Sequence, residues 1–310
     1  MPLDQLRNQL DPGACRLANL PERIWLFGGK GRFTTNTAAL DLPLESMRDS
    51  FWRMAFTPIP RPNKVWLDDI DMPEQHEGWW AFSGYDDLLM FERDACYLAR
   101  AVILFPESPG SFTELGALSV DESIVKRLIV VVQSKHLQDE NRESFLNLGP
   151  LTKAETHGLR CVIGGASYPS LTAEDFDTIL EFVDQKLPRV PGTEKLHIEN
   201  PTHKLLLIAD LVDLLLICKP AELLSALKHF ELSMTQEELE RATKLLQFFK
   251  LIRIEHRGYE HYFLRQEHTS RTWVNYTAKE GKDAFERSRF KIDREALLDK
   301  RHLSVLGRAS

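Results

Sequence analysis

The sequence predicts an α/β protein, with a mostly parallel sheet covered by helices on both faces and followed by a mainly helical C-terminal part. Short apolar runs alternate with segments of helical periodicity through about the first 200 residues. Such alternation is typical of parallel strands joined by crossover helices. Helical patterns predominate beyond that point, and a length of 310 residues favours two domains.

Each predicted strand is a short apolar run that ends at turn-forming or polar residues. The first ends at Gly28-Gly29, and the second leads into an acidic loop with Asp68, Asp69 and Asp71. The predicted strands are Ile24–Phe27, Lys64–Leu67, Ala101–Phe105, Leu128–Val132 and Leu159–Ile163. Helices are expected at about residues 44–54, 85–98, from Ser111 onward, and 173–186.

A linker is predicted at Leu187–Pro201, which contains three prolines and a glycine. We therefore predict a first domain at residues 1–190 and a second at 191–310. Helices are expected in the second domain at about residues 203–218, 221–230 and 236–249, and two strand-like stretches then flank Arg257-Gly258. Three helices and a hairpin predict a winged-helix-like module, and the basic segment Lys279–Lys300 is expected to form another helix.

The charge is distributed unevenly along the chain. The net charge of −7 argues against a general affinity for nucleic acid. Residues 1–200 have a balance of −10, however, whereas residues 201–310 have a balance of +3. The C-terminal part is therefore the better candidate for contact with an anionic partner.

The sequence predicts a cytoplasmic protein that does not enter a membrane. The N-terminus lacks the apolar stretch of a signal peptide. The longest apolar run, Leu205–Cys218, is too short to span a bilayer and is interrupted by Asp210 and Asp213. The four cysteines show no CxxC pairing, which is typical of a reducing compartment without disulfides or a zinc site.

The most informative segment is residues 102–118, VILFPESPGSFTELGAL. An apolar strand leads into a Pro/Ser/Gly turn, which opens into a helix with Glu114 expected in its first turn. Ligands bind at the carboxyl ends of strands in open α/β sheets, and helix N-termini attract anions. Ser108, Gly110 and Ser111 would supply hydroxyls and amides, and the carboxylate of Glu114 is suited to an oxocarbenium-like anomeric carbon.

The same residues have a purely structural interpretation. Ser111-Phe-Thr-Glu114 fits a capping box, in which the serine and the glutamate satisfy backbone amides at the start of the helix. The residues alone leave both interpretations open.

Other candidate residues have weaker local signals. Gly28-Gly29 follows the first strand and would form a second wall of the same pocket, although a flexible turn explains it equally well. Glu92, in MFERDAC, lies on the helix before the central strand, and most such residues are solvated. A hydrated loop is the ordinary interpretation of Asp69, and Asn147 in FLNLGP could cap a turn or reach a substrate.

Several chemistries find no support in the sequence. The ten histidines form no HxxH or HExxH cluster, so no metal site is predicted. No GxSxG motif appears, and no Ser-His-Asp assignment can be made. The pair Trp79-Trp80 is expected to pack into a core rather than to form a binding loop.

The segment VILFPESPGSFTELGALS, preceded by WLFGG and by a helix carrying Glu92, closely resembles the effector subunits of bacterial retron defence systems. These effectors are nucleoside deoxyribosyltransferase-like N-glycosidases. The resemblance covers about the first 150 residues in order, including NLGP, and the remainder in layout. A more distant similarity is to phosphoribohydrolases with a PGGxGT turn, but Pro109-Gly110-Ser111 lacks the double glycine.

The resemblance implies a fold and a role for individual residues. The implied fold is a Rossmann- or flavodoxin-like parallel sheet with a winged-helix-like C-terminal domain. The glutamate of the xELG motif is the family's nucleophile and maps onto Glu114. The acidic residue that holds the sugar corresponds to Glu92, where the family usually has aspartate. Substrate contacts are expected from Gly28, Gly29, Glu92, Ser108, Pro109, Gly110, Ser111, Asn147 and Asp69.

The resemblance also implies an activity and partners. The expected reaction is cleavage of the N-glycosidic bond of NAD+ or a related nucleotide, which is the substrate, and no further cofactor is implied. The toxicity would be restrained by the cognate reverse transcriptase and its multicopy single-stranded DNA/RNA hybrid. Related sites are often completed by a neighbouring subunit of a homo-oligomer, and Asn147 is the candidate for that contact.

Other functions remain open at the level of sequence. The α/β domain could sense a nucleotide without cleaving it, since a fold does not determine a function. A phosphoribohydrolase is another alternative. The C-terminal part could instead be a DNA-binding regulator, although a balance of +3 is small for that role.

Overall fold

A computed structural model describes residues 2–32, 42–57, 61–165, 167–189, 192–266 and 272–307. The chain divides into two compact units. The sheet unit comprises Pro21–Phe82 and Asp87–Pro191, and the helical unit comprises Met1–Leu20, Ser83–Asp86 and Gly192–Ser310. The chain begins in the helical unit with α1 (Pro2–Gln9) and β1 (Arg16–Ala18).

The sheet unit contains, within the described residues, a five-stranded parallel sheet of order β3-β2-β4-β5-β6. The strands are β2 (Ile24–Phe27), β3 (Ile70–Asp71), β4 (Ala101–Leu104), β5 (Leu128–Gln133) and β6 (Leu159–Ile163). The predicted α/β class with a parallel sheet is therefore confirmed. The strand order reverses between β2 and β4, which makes the crevice beyond their carboxyl ends the topological switch point.

Crossover helices lie between the strands. They are α2 (Met47–Phe56), α3 (Leu88–Cys96), α4 (Pro109–Ser119), α5 (Glu122–Val125), α6 (Thr152–His157) and, after the last strand, α7 (Ala173–Lys186). The residues of β2, β4 and β5 are buried throughout, as strands covered on both faces must be. Because both faces of these strands are covered, their sequences are continuous apolar runs and do not alternate between apolar and polar residues.

Both faces of the sheet have an aromatic component. On one face, Phe51 of α2 packs with ring centroids 5.9 Å from Phe105 and 5.5 Å from Phe176 of α7. Elsewhere, Trp25 of β2 lies 5.2 Å from Trp79, whose ring is 4.8 Å from that of Phe91. Trp79 is fully buried, which agrees with its expected place in a core.

The predicted strand Lys64–Leu67 is wrong. Val65–Asp69 forms a 3-10 helix, and the edge strand β3 follows it at Ile70–Asp71. Trp66 is buried and its indole N–H donates to Asp184 of α7 at 2.8 Å, whereas Val65 remains 86% exposed. The segment is thus an amphipathic turn held by α7, and the apolar run alone did not distinguish it from a strand.

The helical unit is built around α8 (Pro201–Leu215), which is buried along almost its whole length. It continues with β8 (Ile217–Cys218), α9 (Pro220–His229), α10 (Gln236–Phe248), β9 (Ile252–Arg257) and β10 (Glu260–Arg265). The strands β8, β10 and β9 form an antiparallel sheet in that order. The three helices and the hairpin that the sequence predicts are confirmed.

The remaining strands of this unit pair the N-terminal residues of the chain with its C-terminal part. β7 (Thr193–Lys195), within the predicted linker, pairs with β1, which also pairs with β11 (Val274–Asn275). Met1–Leu20 therefore packs with the helical unit rather than with the parallel sheet. The basic segment forms α11 (Arg287–Ala296) and α12 (Lys300–Val305) instead of a single helix from Lys279. None of the described helices is both long and apolar enough to cross a bilayer.

A buried ionic cluster connects α8 to α11. Asp210 is 0% exposed and accepts hydrogen bonds from the amides of Trp273 at 2.7 Å and Val274 at 3.1 Å. Its other oxygen is paired with Arg287, which also reaches Asp213 at 2.6 Å. Burial raises the pKa of Asp210, and the charge of Arg287 opposes that shift. Arg287 is therefore the counter-ion on which the charged form of Asp210 depends.

We expect Arg287→Met to lower the free energy of unfolding by about 3–5 kcal/mol, because it leaves the carboxylate of Asp210 buried without its counter-ion. Urea unfolding followed by circular dichroism measures this. The control is Arg301→Met, whose side chain is 80% exposed and which should change stability by about 0.5 kcal/mol or less. Equal effects of the two substitutions would contradict this assignment.

Candidate active site

The switch-point crevice is bordered by two loops. Gly28-Gly29 follows β2, and Glu107–Ser111 follows β4 and enters α4. These strands are hydrogen-bonded neighbours, with Phe27 in register with Leu104, so the two loops leave the sheet side by side. The structure thus brings together the two walls that the sequence predicted.

Glu107 joins these loops and was missed in the sequence. Its carboxylate accepts hydrogen bonds from the amides of Gly29 at 2.9 Å, Met47 at 2.6 Å and Arg48 at 3.1 Å. The last two amides belong to the first turn of α2, where the helix dipole favours a negative charge. These partners are 59 to 78 residues away in the chain, so no local pattern could have indicated them.

The predicted capping box at Ser111 and Glu114 is wrong. α4 begins at Pro109, and its N-cap is Ser108, whose hydroxyl accepts the amide of Ser111 at 3.2 Å. The hydroxyl of Ser111 in turn accepts the amides of Ser108 at 2.9 Å and Glu107 at 3.0 Å. Glu114 therefore lies in the second turn of α4 and does not cap the helix.

The turn residues Pro109 and Gly110 are exposed at the first turn of α4. Pro109 occupies the first helical position, where its missing amide costs nothing. A Cβ at Gly110 would meet no atom closer than the Ser108 hydroxyl at 3.8 Å. The internal packing therefore does not require glycine at this position.

Glu114 and Glu92 bring two largely buried carboxyl groups to the candidate site. Oε2 of Glu114 is buried, and no described residue donates a hydrogen bond to it. Glu92, on the contacting helix α3, is 9% exposed and accepts a hydrogen bond from the Trp79 indole at 3.3 Å. The two carboxyl groups interact electrostatically. Two nearby carboxylates of this kind tend to share a proton.

Burial and like charge set the protonation of this pair. Burial raises the pKa of Glu114 to about 8, with a further increase from the charges of Glu92 and Glu74, whereas Arg48 lowers it. Burial likewise raises the pKa of Glu92 to about 7, and the hydrogen bond from Trp79 opposes this. Near neutral pH the pair can therefore exchange a proton, as groups that act in acid, base or nucleophilic catalysis must.

Arg48 supplies positive charge to the site and was not predicted. It is 2% exposed, and its guanidinium donates to the carbonyls of Gly29 at 2.8 Å and Leu26 at 3.2 Å. It also pairs with Glu74 at 2.6 Å. The pair lies near enough to Glu114 for both charges to affect its pKa.

The other predicted substrate contacts lie in different surroundings. The side-chain amide of Asn147 donates to the carbonyls of His136 and Asn141, both at 2.7 Å, and so closes the loop after β5. Asp69 ends the 3-10 helix on the amino side of β3, whereas the crevice lies beyond the carboxyl ends of β2 and β4.

The part of the chain that the structure describes shows no arrangement of residues suited to binding a metal ion. Within that part, no group of three or more His, Cys, Asp or Glu side chains is placed to hold an ion.

Comparison of the sequence with known proteins places the chain in a family. Residues 45–254, more than half of the chain, match the sequence model of the STM3845 retron effector protein family. The matched region begins just before α2 and ends in β9, so it includes Glu92, Glu107 and Glu114.

Two curated relatives come from Escherichia coli. The chain is 40% identical over 84 residues to the "Retron Ec86 putative ribosyltransferase/DNA-binding protein", an alignment that covers 27% of this chain and 26% of the relative. It is 42% identical over 66 residues to the Retron Ec73 protein of the same description, covering 21% and 20%. The alignments thus span about a quarter and a fifth of the lengths of these relatives.

We expect Glu114→Gln to stabilise the protein, and to do so more at pH 8.5 than at pH 5.5. With its pKa raised from 4.5 to about 8, the folded state keeps a proton that the unfolded state loses. The stability due to that proton is complete below pH 4.5 and is lost as the pH rises through 8. The amide needs no proton, so thermal unfolding should show a gain in Tm of about 2–4 °C at the higher pH.

The matched control is Glu143→Gln, which removes an exposed carboxylate from the loop after β5. Its effect on Tm should be small and equal at both pH values. A pH-independent effect of Glu114→Gln would show that Glu114 titrates like an ordinary surface carboxyl.

Proposed function

Because the chain belongs to the retron effector family, we propose that it is the toxic effector of a retron anti-phage defence system and cleaves the N-glycosidic bond of NAD+ or a related nucleotide. The observation that supports this most directly is Glu114, whose Oε2 is buried without a hydrogen-bond donor beside Glu92. The site lies at the switch point, where open α/β sheets bind their ligands. The relatives' description as ribosyltransferases is consistent with chemistry at a ribose.

The proposed reaction uses the carboxyl pair at C1′ of the ribose. With the shared proton on Glu92, ionised Glu114 attacks or stabilises C1′ while the C1′–N bond breaks and its electron pair passes to the base. For NAD+ the base leaves as neutral nicotinamide, so it requires no proton. Water then forms the new C1′–O bond, its proton passes to the carboxyl pair or to solvent, and Glu114 is released as a carboxylate.

The helical unit is proposed to be a winged-helix module that docks the cognate reverse transcriptase and its multicopy single-stranded DNA/RNA hybrid. Its order of helix, strand, two helices and hairpin, from α8 to β10, supports this assignment. A cavity of about 370 Å³ beside the hairpin is lined by Arg257, Lys300 and Arg301, with Glu260 and Tyr262. Cationic side chains on a hairpin and an adjacent helix suit contact with a phosphate backbone.

The glycosidase proposal is tested with purified protein freed of its partners. We expect wild type to release nicotinamide or a free base, detected by mass spectrometry, and Glu114→Gln to reduce kcat/KM by about 10³-fold or more. Glu143→Gln should retain full activity. Unchanged activity of Glu114→Gln would remove Glu114 from the mechanism. Tight nucleotide binding without product over hours would favour the nucleotide-sensing alternative.

The docking proposal is tested by charge reversal. We expect the double substitution Arg257→Glu and Arg301→Glu to weaken binding to the reverse transcriptase–hybrid complex by at least about tenfold and to reduce its salt dependence, because phosphate contacts are lost. Lys282→Glu, an equally basic and exposed position of the same unit, should have little effect. Fluorescence anisotropy at several salt concentrations measures both. Equal weakening by Lys282→Glu would indicate a general charge effect.

A further inference from the structure

The helix N-termini beside the crevice are already occupied by the protein's own oxygens. At α2, the carboxylate of Glu107 accepts the amides of Gly29, Met47 and Arg48. At α4, the Ser108 and Ser111 hydroxyls accept the amides of Ser111, Ser108 and Glu107. Phosphate groups commonly bind to such amides in open α/β sheets. Here Glu107 takes the place that a phosphate would have.

The two glycines of the turn after β2 pack closely against the carboxylate of Glu107. A Cβ at Gly29 would lie 2.8 Å from Cβ of Ser46 and 3.1 Å from the carboxyl carbon of Glu107. A Cβ at Gly28 would lie 3.1 Å from Oε1 of Glu107. The Gly28-Gly29 turn is therefore shaped for the approach of Glu107, and the Gly29 amide that the sequence assigned to a ligand donates to that carboxylate.

The crevice carries an excess of negative charge. Glu107 and the Glu92–Glu114 pair, which shares one proton near neutral pH, add negative charge to it, while the guanidinium of Arg48 is paired with Glu74. Lys30, just after the turn, is exposed. Such a site repels an anion and attracts a cation.

We propose that this crevice selects N-glycosides whose base carries a net positive charge, and that Glu107 excludes the substrate's phosphate from the helix N-terminus beside it. This inference rests on the proposed glycosidase function and specifies its substrate class. A quaternised base is attracted to the carboxylates and leaves as a neutral molecule once it takes the electron pair of the C1′–N bond. The positive charge that develops on the ribose meets the same carboxylates.

The charge selection is tested with substrates that differ in one group. Nicotinamide riboside is a cation, whereas nicotinic acid riboside has the same leaving ring nitrogen and no net charge. We expect kcat/KM of wild type to be at least tenfold higher for nicotinamide riboside. Adding a 5′-phosphate, as in nicotinamide mononucleotide, should change kcat/KM by less than threefold. A preference of tenfold or more for the mononucleotide, or none for the cation, overturns the proposal.

A phosphate-binding experiment, which requires no catalysis, tests the role of Glu107. Glu107→Ala opens the amides of Gly29, Met47 and Arg48, so inorganic phosphate should raise its Tm by several degrees relative to chloride at equal ionic strength. Wild type should show no such shift. The control is Asp121→Ala, which removes a capping carboxylate from α5, next to the amides of Ser123 and Ile124. A phosphate shift in wild type, or the same shift in all three proteins, contradicts the proposal.

A second variant covers the case in which Glu107→Ala does not fold. Glu107→Gln keeps an acceptor oxygen but removes the charge, and it should reduce the preference for nicotinamide riboside over nicotinic acid riboside by about threefold or more. An unchanged preference in a folded variant counts against Glu107. If wild type cleaves no N-glycoside at all, the proposed function fails, while the phosphate experiment still decides whether Glu107 fills the anion position.

Discussion

The site depends on the carboxylate of Glu107 and the amides that surround it. This one group ties the turn after β2, the first turn of α2 and the loop after β4 across the point where the strand order reverses. The amides and the dipole of α2 interact favourably with the negative charge of this half-buried carboxylate. It also accepts the backbone amide of Arg48, whose charge lowers the pKa of Glu114.

The sheet could be predicted because its strands have an unambiguous pattern. A strand covered on both faces must be apolar throughout, and Ile24–Phe27 forms at the predicted bounds. The partly exposed edge strand Leu159–Ile163 also forms at its predicted bounds. The edge of the sheet could not be predicted in the same way. Val65–Asp69 buries apolar residues as an amphipathic 3-10 turn and does not form a strand. Glu114 could be singled out because a single local segment contains both the strand end and the carboxylate.

The remaining parts of the site depend on contacts that local sequence does not encode. The start of α4 was ambiguous because both Ser108 and Ser111 are suitable N-caps, and Pro109 at the first helical position was the signal favouring Ser108. Glu107 and Arg48 act through partners on other elements, and Trp79 reaches Glu92 from a separate 3-10 turn. Such long-range pairs follow from the strand order, which the residues alone did not fix.

Two buried carboxyl groups of this chain, those of Asp210 and Glu114, have opposite surroundings. Asp210 is fully buried, yet backbone amides and Arg287 satisfy both of its oxygens, so its burial serves the packing of the helical unit. Glu114 has no donor at Oε2 among the described residues, and its nearest charges include the carboxylates of Glu92 and Glu74. That arrangement opposes ionisation and destabilises the fold above neutral pH. A positively charged ligand beside Glu114 would reduce this penalty and favour the ionised carboxylate.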